Sequence, residues 1–238
     1  MKIFQDQIAL VTGASSGIGK AVALSLAERG ATVCLVARRA NVVEEVAALN
    51  RSELRPFPTD LAKYEDVNRL IAALRSEFEH IDIIVHSAAD YVRGPVSSAP
   101  LPDFERLYRI NVLAPYALTQ ALLPVLPPQH GQIVFVNSSA GLAAPEGLSQ
   151  YAATKHALRA IADSLRKEVN RDGIRVLSVY LGRTATPLQA AVHAMEHKTY
   201  QPENLMQPQD VASIIVHALS LPRSAEVTEI QMRQLQPQ

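Results

Sequence analysis

Short apolar runs recur along the chain at QIALVTG, ATVCLVA, IDIIVHSAA, GQIVFVNSS and IRVLSVYLG, and between most of them lie longer stretches with helical apolar period. Strands alternating with helices imply right-handed crossovers, and so a parallel sheet covered on both faces. A weaker run, LRPFPTD, predicts a short third strand, and the closing AEVTEIQMRQL alternates enough for a last one. The fold class is α/β: a doubly wound parallel sheet of about seven strands in a three-layer α/β/α sandwich. No Pro/Gly/Ser-rich linker and no internal repeat divides the chain, so residues 1–238 are expected to form one domain. Pro124, Pro127 and Pro128 end a helix, while Pro187, Pro202 and Pro208 frame LQAAVHAMEHKTYQPENLMQ. That segment, about 188–207, follows a strand's carboxyl end, the edge where open α/β sheets bind ligands, and is a candidate lid.

Two local patterns carry chemistry. The first strand runs into TGASSGIGKAVALSLAERG, which sets Gly13, Gly17 and Gly19 between a strand and a helix reaching about Arg29. Glycines permit a tight turn and close backbone approach to a phosphate, and a helix N-terminus offers unpaired N–H groups. The second strand ends LVARR, so Ala37 stands where a ribose-binding carboxylate is expected, with Arg38 and Arg39 beside it. Guanidinium groups there can hold a 2′-phosphate, assisted by Ser15, and NADP is favoured over NAD. The other pattern is SQYAATKHALRAIADSLRKEV, whose apolar positions Ala157, Leu158, Ile161, Ala162, Leu165 and Val169 define one amphipathic helix that Ser149 can cap. Tyr151 and Lys155, four apart, share a face of it. An ammonium beside a phenol favours phenolate, so Tyr151 is expected to titrate below its ordinary value of about 10.

Composition narrows the partners. Lysine plus arginine (23) balance aspartate plus glutamate (23), so no global field points to nucleic acid or an anionic membrane. Cys34, the single cysteine, lies in an apolar run that suits a buried strand position. The amino-terminal residues lead straight into a strand and nowhere do eighteen apolar residues run together, so a soluble, cytoplasmic protein in a reducing compartment is expected. His193 and His197 have helical i,i+4 spacing, but no glutamate or cysteine arrangement completes a ligand set and no metal is expected.

With these residues in view, the chain resembles the short-chain dehydrogenase/reductase family over essentially its whole length. The family's TGxxxGxG is matched by Thr12, Gly13, Gly17 and Gly19, and its Tyr-x-x-x-Lys by Tyr151 and Lys155. VNSSAG offers two serines; the family's Ser-x-x-Gly pattern selects Ser138 over Ser139, and RINVLAPYALTQ supplies the family's asparagine as Asn111. The resemblance implies a Rossmann-type fold and hydride transfer between NADP(H) and a carbonyl or alcohol carbon. Tyr151 would act as acid or base, Ser138 as carbonyl polariser, Lys155 as tuner and ribose ligand, and Asn111 as anchor of a proton-relay water. It also implies cofactor contacts from Ser16, Ile18, Asp60, Leu61, Ser87, Ala88, Ala89, Gly182, Thr184 and Thr186. Two stretches depart from the pattern: HSAA at 86–89 replaces Asn-Asn-Ala-Gly, and Leu181 replaces a proline. His86 is read as a structural hydrogen-bonding residue. Tyr91, Val92, Leu142, Pro145, Leu188 and Val192 are candidates for a mostly apolar substrate pocket. Family members are commonly tetramers or dimers, packed through helices that here fall at 103–127 and 149–171. A catalytically idle NADP-binding sensor is the rival reading, but it gives no use to the full Asn-Ser-Tyr-Lys set.

Overall fold

The computed structural model describes residues 2–50 and 53–235. Within these residues seven strands form one sheet: β1 (Ile8–Thr12), β2 (Thr32–Ala37), β3 (Leu54–Pro58), β4 (Ile83–His86), β5 (Gln132–Ser138), β6 (Arg175–Leu181) and β7 (Glu229–Met232). The order is β3-β2-β1-β4-β5-β6-β7 and every pairing is parallel. Each of the seven expected strands is present. The central ones are buried along almost their whole length, which is why they read as continuous apolar runs rather than alternating ones. β3 carries Pro56 and Pro58 and lies at an edge, where a missing N–H costs no ladder bond.

Among the described residues there are eight α-helices: α1 (Gly17–Ala27), α2 (Ala40–Ala47), α3 (Tyr64–Glu77), α4 (Leu101–Tyr108), α5 (Ala114–Leu122), α6 (Ser149–Val169), α7 (Pro187–Met195) and α8 (Pro208–Leu219). Val22 and Leu26 of α1, Val43 of α2 and Ile215 of α8 share one core with Ala9, Val33 and Val134. On the opposite face Leu70 of α3, Leu118 of α5 and Leu158 of α6 pack with Leu10, Ile84 and Phe135. Successive residues of one strand therefore serve opposite cores, and the sandwich has three layers.

Some boundaries differ from the sequence expectation. The helix expected at 103–127 is broken by a π-helical turn at Arg109–Leu113, and α5 stops at Leu122 before a 3-10 turn over Leu123–Val125 that contains Pro124. Ser149 is the first residue of α6 rather than its cap; the capping position is Leu148, without a side-chain hydrogen bond. Pro187 and Pro208 open α7 and α8, where proline's missing N–H is harmless. Among the described residues no helix is long and apolar enough to cross a membrane.

The strand order reverses between β1 and β4, which places a crevice beyond the carboxyl ends of these two strands.

Candidate active site

The glycine turn closes one wall of that crevice. Gly13 and Gly17 take positive φ (71° and 54°), a region costly for other residues. A Cβ on Gly13 would stand 2.9 Å from the Ala88 backbone, and one on Gly19 only 2.4 Å from the Gly13 carbonyl oxygen. Ser16 enters α1 with extended backbone and makes no side-chain cap, so the first-turn N–H groups keep no capping acceptor. Thr12 Oγ1 accepts the N–H groups of Ser87 (3.0 Å) and Ala88 (3.1 Å), tying the exit of β4 to β1. The HSAA segment is held by these bonds. His86 is buried, its Nε2 lies 2.8 Å from Thr119 Oγ1 and its ring stacks on Phe135. Burial pushes its pKa down to about 3, as a structural histidine requires.

A cavity of about 890 Å³ extends from Arg38 and Arg39 at the end of β2 to Ser138 and Tyr151. Gly13, Ser15, Ser16, Gly17, Ile18, Gly19, Asp60, Leu61, Ser87, Ala88 and Ala89 line it, as do Lys155, Gly182, Thr184 and Thr186. Asn111 does not. It sits in the π-helical turn, 1% exposed, where its Oδ1 accepts from the Asp90 N–H at 2.9 Å. Its Nδ2 donates to the Asp90 carbonyl (3.0 Å) and Thr154 Oγ1 (3.1 Å), joining the loop after β4 to α6.

Tyr151 and Lys155 do share a buried face of α6, with Nζ 5.8 Å from the centre of the phenol ring. Ser138, at the end of β5, lines the same cleft as Tyr151, its Oγ accepting the Ala140 N–H at 3.2 Å, whereas Ser139 is exposed at the start of the next turn. The expected depression of the Tyr151 pKa is not found. Burial raises it to about 12, outweighing the opposite influence of the Ser138 hydroxyl, and Tyr91 adds to the rise. Lys155 gives no compensation because its ammonium is itself desolvated, with a pKa lowered by burial to about 8 and one hydrogen bond, to the Val136 carbonyl at 3.3 Å.

Asn137 escaped the sequence reading. Its Oδ1 accepts from the Ser138 N–H (2.8 Å) and its Nδ2 donates to the Lys155 carbonyl (3.1 Å), so one buried amide positions two of the polar groups at once. The asparagine stood in the VNSSAG run, but nothing local marked which of its neighbours would face α6.

At the far end of the cleft Tyr91, Pro145, Leu188 and Val192 line the wall as expected, but Val92 and Leu142 do not. The surroundings are not mostly apolar: Asp90, Arg93, Arg106, Arg183 and Glu196 line the same space. Glu196 follows α7 and receives both Arg93 (3.0 Å) and Arg183 (2.7 and 2.9 Å). Burial works to raise its carboxyl, but hydrogen bonds and charges from Arg183 and Lys198 hold it below the usual carboxylate range. The i,i+4 pairing of His193 and His197 does not form, since α7 stops at Met195. His193 is buried, with Nδ1 2.8 Å from the Gln189 carbonyl oxygen, and His197 is exposed.

Known proteins resemble this chain in sequence and fold. The family model described as short chain dehydrogenase matches residues 7–197. An uncharacterized oxidoreductase of Staphylococcus aureus is 31% identical over 235 residues, 98% of this chain and 99% of that protein. A Shigella flexneri short chain dehydrogenase structure complexed with NADP superposes with a TM-score of 0.87 at 30% identity, over 97% of this chain and 98% of that one. A Burkholderia cenocepacia short chain dehydrogenase, also in complex with NADP, gives 0.82 at 28% identity, over 96% and 97%.

Proposed function

This chain belongs to the short chain dehydrogenase family of oxidoreductases, and from that premise we propose that it reduces a ketone or aldehyde with NADPH, reversibly, using Tyr151 as the proton donor. The observation that carries the reading is the convergence of Ser138, Tyr151 and Lys155 on one cleft whose other end is the glycine turn. The cleft fits the dinucleotide. Gly13 and Gly19 leave no room for a side chain, the start of α1 keeps its N–H groups uncapped, and the volume of about 890 Å³ suits a large cofactor. Gly13 to Gly19 would hold the pyrophosphate, Arg38 with Ser15 and Arg39 the 2′-phosphate, and Thr184 and Thr186 the carboxamide end. Two family structures complexed with NADP support that choice.

When bound, NADPH supplies the hydride that the carbonyl carbon receives. The chain supplies the rest. Ser138 donates a hydrogen bond to the substrate oxygen and Tyr151 delivers its proton as negative charge develops there. With its pKa raised to about 12, Tyr151 is held in the protonated form that a donor needs. Lys155, kept in place by the Val136 carbonyl and, through its own backbone, by Asn137, would hold the nicotinamide ribose. Asn111 acts at one remove by fixing α6 against the loop after β4. Residues 188–207 serve as the lid of a single catalytic unit.

Tyr151→Phe tests the assignment. Carbonyl-dependent NADPH oxidation should fall by roughly 10²- to 10⁴-fold while NADPH still binds in a fluorescence titration. Turnover close to that of the unaltered protein would remove Tyr151 from the chemistry, and NADPH binding without oxidation by any carbonyl would favour a sensor.

A further inference from the structure

Resting on the reductase reading, we propose that the substrate carries a carboxylate in addition to its reducible carbonyl, and that Arg93 and Arg183 hold it at the α7 end of the cleft. Glu196 shows what these guanidiniums accept. Its carboxylate, 6% exposed in its side chain, takes Arg183 Nη2 on both oxygens, Arg93 Nη1 on one and Lys198 Nζ at 3.1 Å. Three cations thus share one anion. Among the described residues no second carboxylate forms an ion pair with any of them, so the cluster keeps an excess of two positive charges.

Arg106, on the same cleft, is the contrast. Asp90 at 2.8 Å and Asp103 at 3.1 Å more than match its single charge, and it offers an incoming anion nothing.

The excess lies beside the proposed chemistry. Tyr91 packs its ring 4.8 Å from that of Tyr151, and Arg93 stands two residues beyond Tyr91 on the same cleft wall. Arg93, Arg183 and Glu196 line the cavity together with Ser138 and Tyr151. A guanidinium has five donors, and Arg93 and Arg183 spend only part of theirs on Glu196, which leaves N–H groups on the cleft wall for a second planar anion. Carboxylate is the matching partner because each of these side chains already binds one, Arg183 through Nη2 and Arg93 through Nη1. A neutral ketone bound there would leave the donors desolvated and unpaired, which disfavours it.

Matched pairs of linear oxo acids and their methyl esters, with the carbonyl moved stepwise along the chain, test this by NADPH oxidation. For at least one pair the acid should exceed its ester in kcat/KM by roughly ten- to a hundredfold, the worth of charged hydrogen bonds. Arg183→Met and Arg93→Met should bring that ratio toward one, mainly through KM, and added salt should shrink it in the unaltered protein. Glu196→Gln should move the other way, lowering KM for the acid, since it removes the anion that competes for the same donors; a merely structural Glu196 would raise KM for acid and ester alike. Equal use of every acid and its ester, or equal losses for both in Arg183→Met, overturns the proposal. If no compound of either kind is reduced, the reductase reading fails, and calorimetric titration of the acids into NADPH-saturated protein decides the carboxylate site alone. Saturable heat that Arg183→Met abolishes sustains the site, and absence of heat removes it.

Discussion

Lys155 is 2% exposed and carries its ammonium into a helix–sheet contact with a single hydrogen bond from Nζ. Such a group is tolerated rather than stabilising. Its pKa falls from 10.5 to about 8, which at neutral pH corresponds to about 3 kcal/mol of unfavourable folding energy. Lys155→Met keeps the apolar stem and removes the charge, so the variant should unfold several degrees higher at neutral pH while losing most of its turnover. The pH dependence has a definite sign. Between about 8 and 10.5 the unfolded chain holds a proton on Lys155 that the folded chain has lost, so the folded protein gains stability as pH rises through that window. The lead of Lys155→Met in urea unfolding should therefore narrow from pH 8 to 10.5. A variant less stable than its parent at neutral pH would show that the ammonium is better satisfied than its one bond suggests.

At the scale of elements, β5 and α6 are joined by Asn137, whose side chain satisfies the Ser138 N–H and the Lys155 carbonyl. Asn137→Ala takes the side-chain acceptor from the Ser138 N–H and the second bond from the Lys155 carbonyl, which keeps its helical bond within α6, at a cost of about 1–3 kcal/mol in unfolding free energy. Because the same amide sets the spacing between Ser138 and Lys155, turnover should drop further than NADPH affinity does, a split that comparing kcat with a binding titration reads directly. The added methyl of alanine at Gly141 would strike Asn137 Oδ1 at 2.6 Å, so the glycine three residues after Ser138 exists partly to admit this amide. The serine-to-glycine spacing was visible in the chain. The asparagine's part was not, since it depends on where α6 crosses the end of β5. The π-helical turn around Asn111 was equally hidden: its apolar spacing passes for ordinary helix, and only the pull of Asn111 toward Asp90 and Thr154 gives the extra residue a partner.

For the molecule as a whole, the five inner strands were legible because parallel strands covered on both faces need unbroken apolar runs, while β3 and β7, largely exposed at the edges, showed only a weaker run and an alternating one. The glycine turn and the Tyr151–Lys155 pair were legible for a related reason: each is made within one turn of backbone. Arg93 and Glu196 are 103 residues apart, and nothing local foretells that the loops after β4 and β6 meet the end of α7. Tyr151 illustrates the same limit in electrostatics, as the spacing to Lys155 was right but the depth at which both lie reversed the shift. That depth extends to the middle of the sheet. Cys34 in β2 is 0% exposed between β1 and β3, and burial drives its thiol upward, away from the reactive thiolate. The chain has no other cysteine. An alkylating reagent therefore has a single target that it meets only when the sheet parts, and labelling followed by mass spectrometry becomes a clock for global opening. Adding NADPH should slow that clock by the factor by which it stabilises the closed molecule, about a hundredfold when the nucleotide is at a hundred times its Kd.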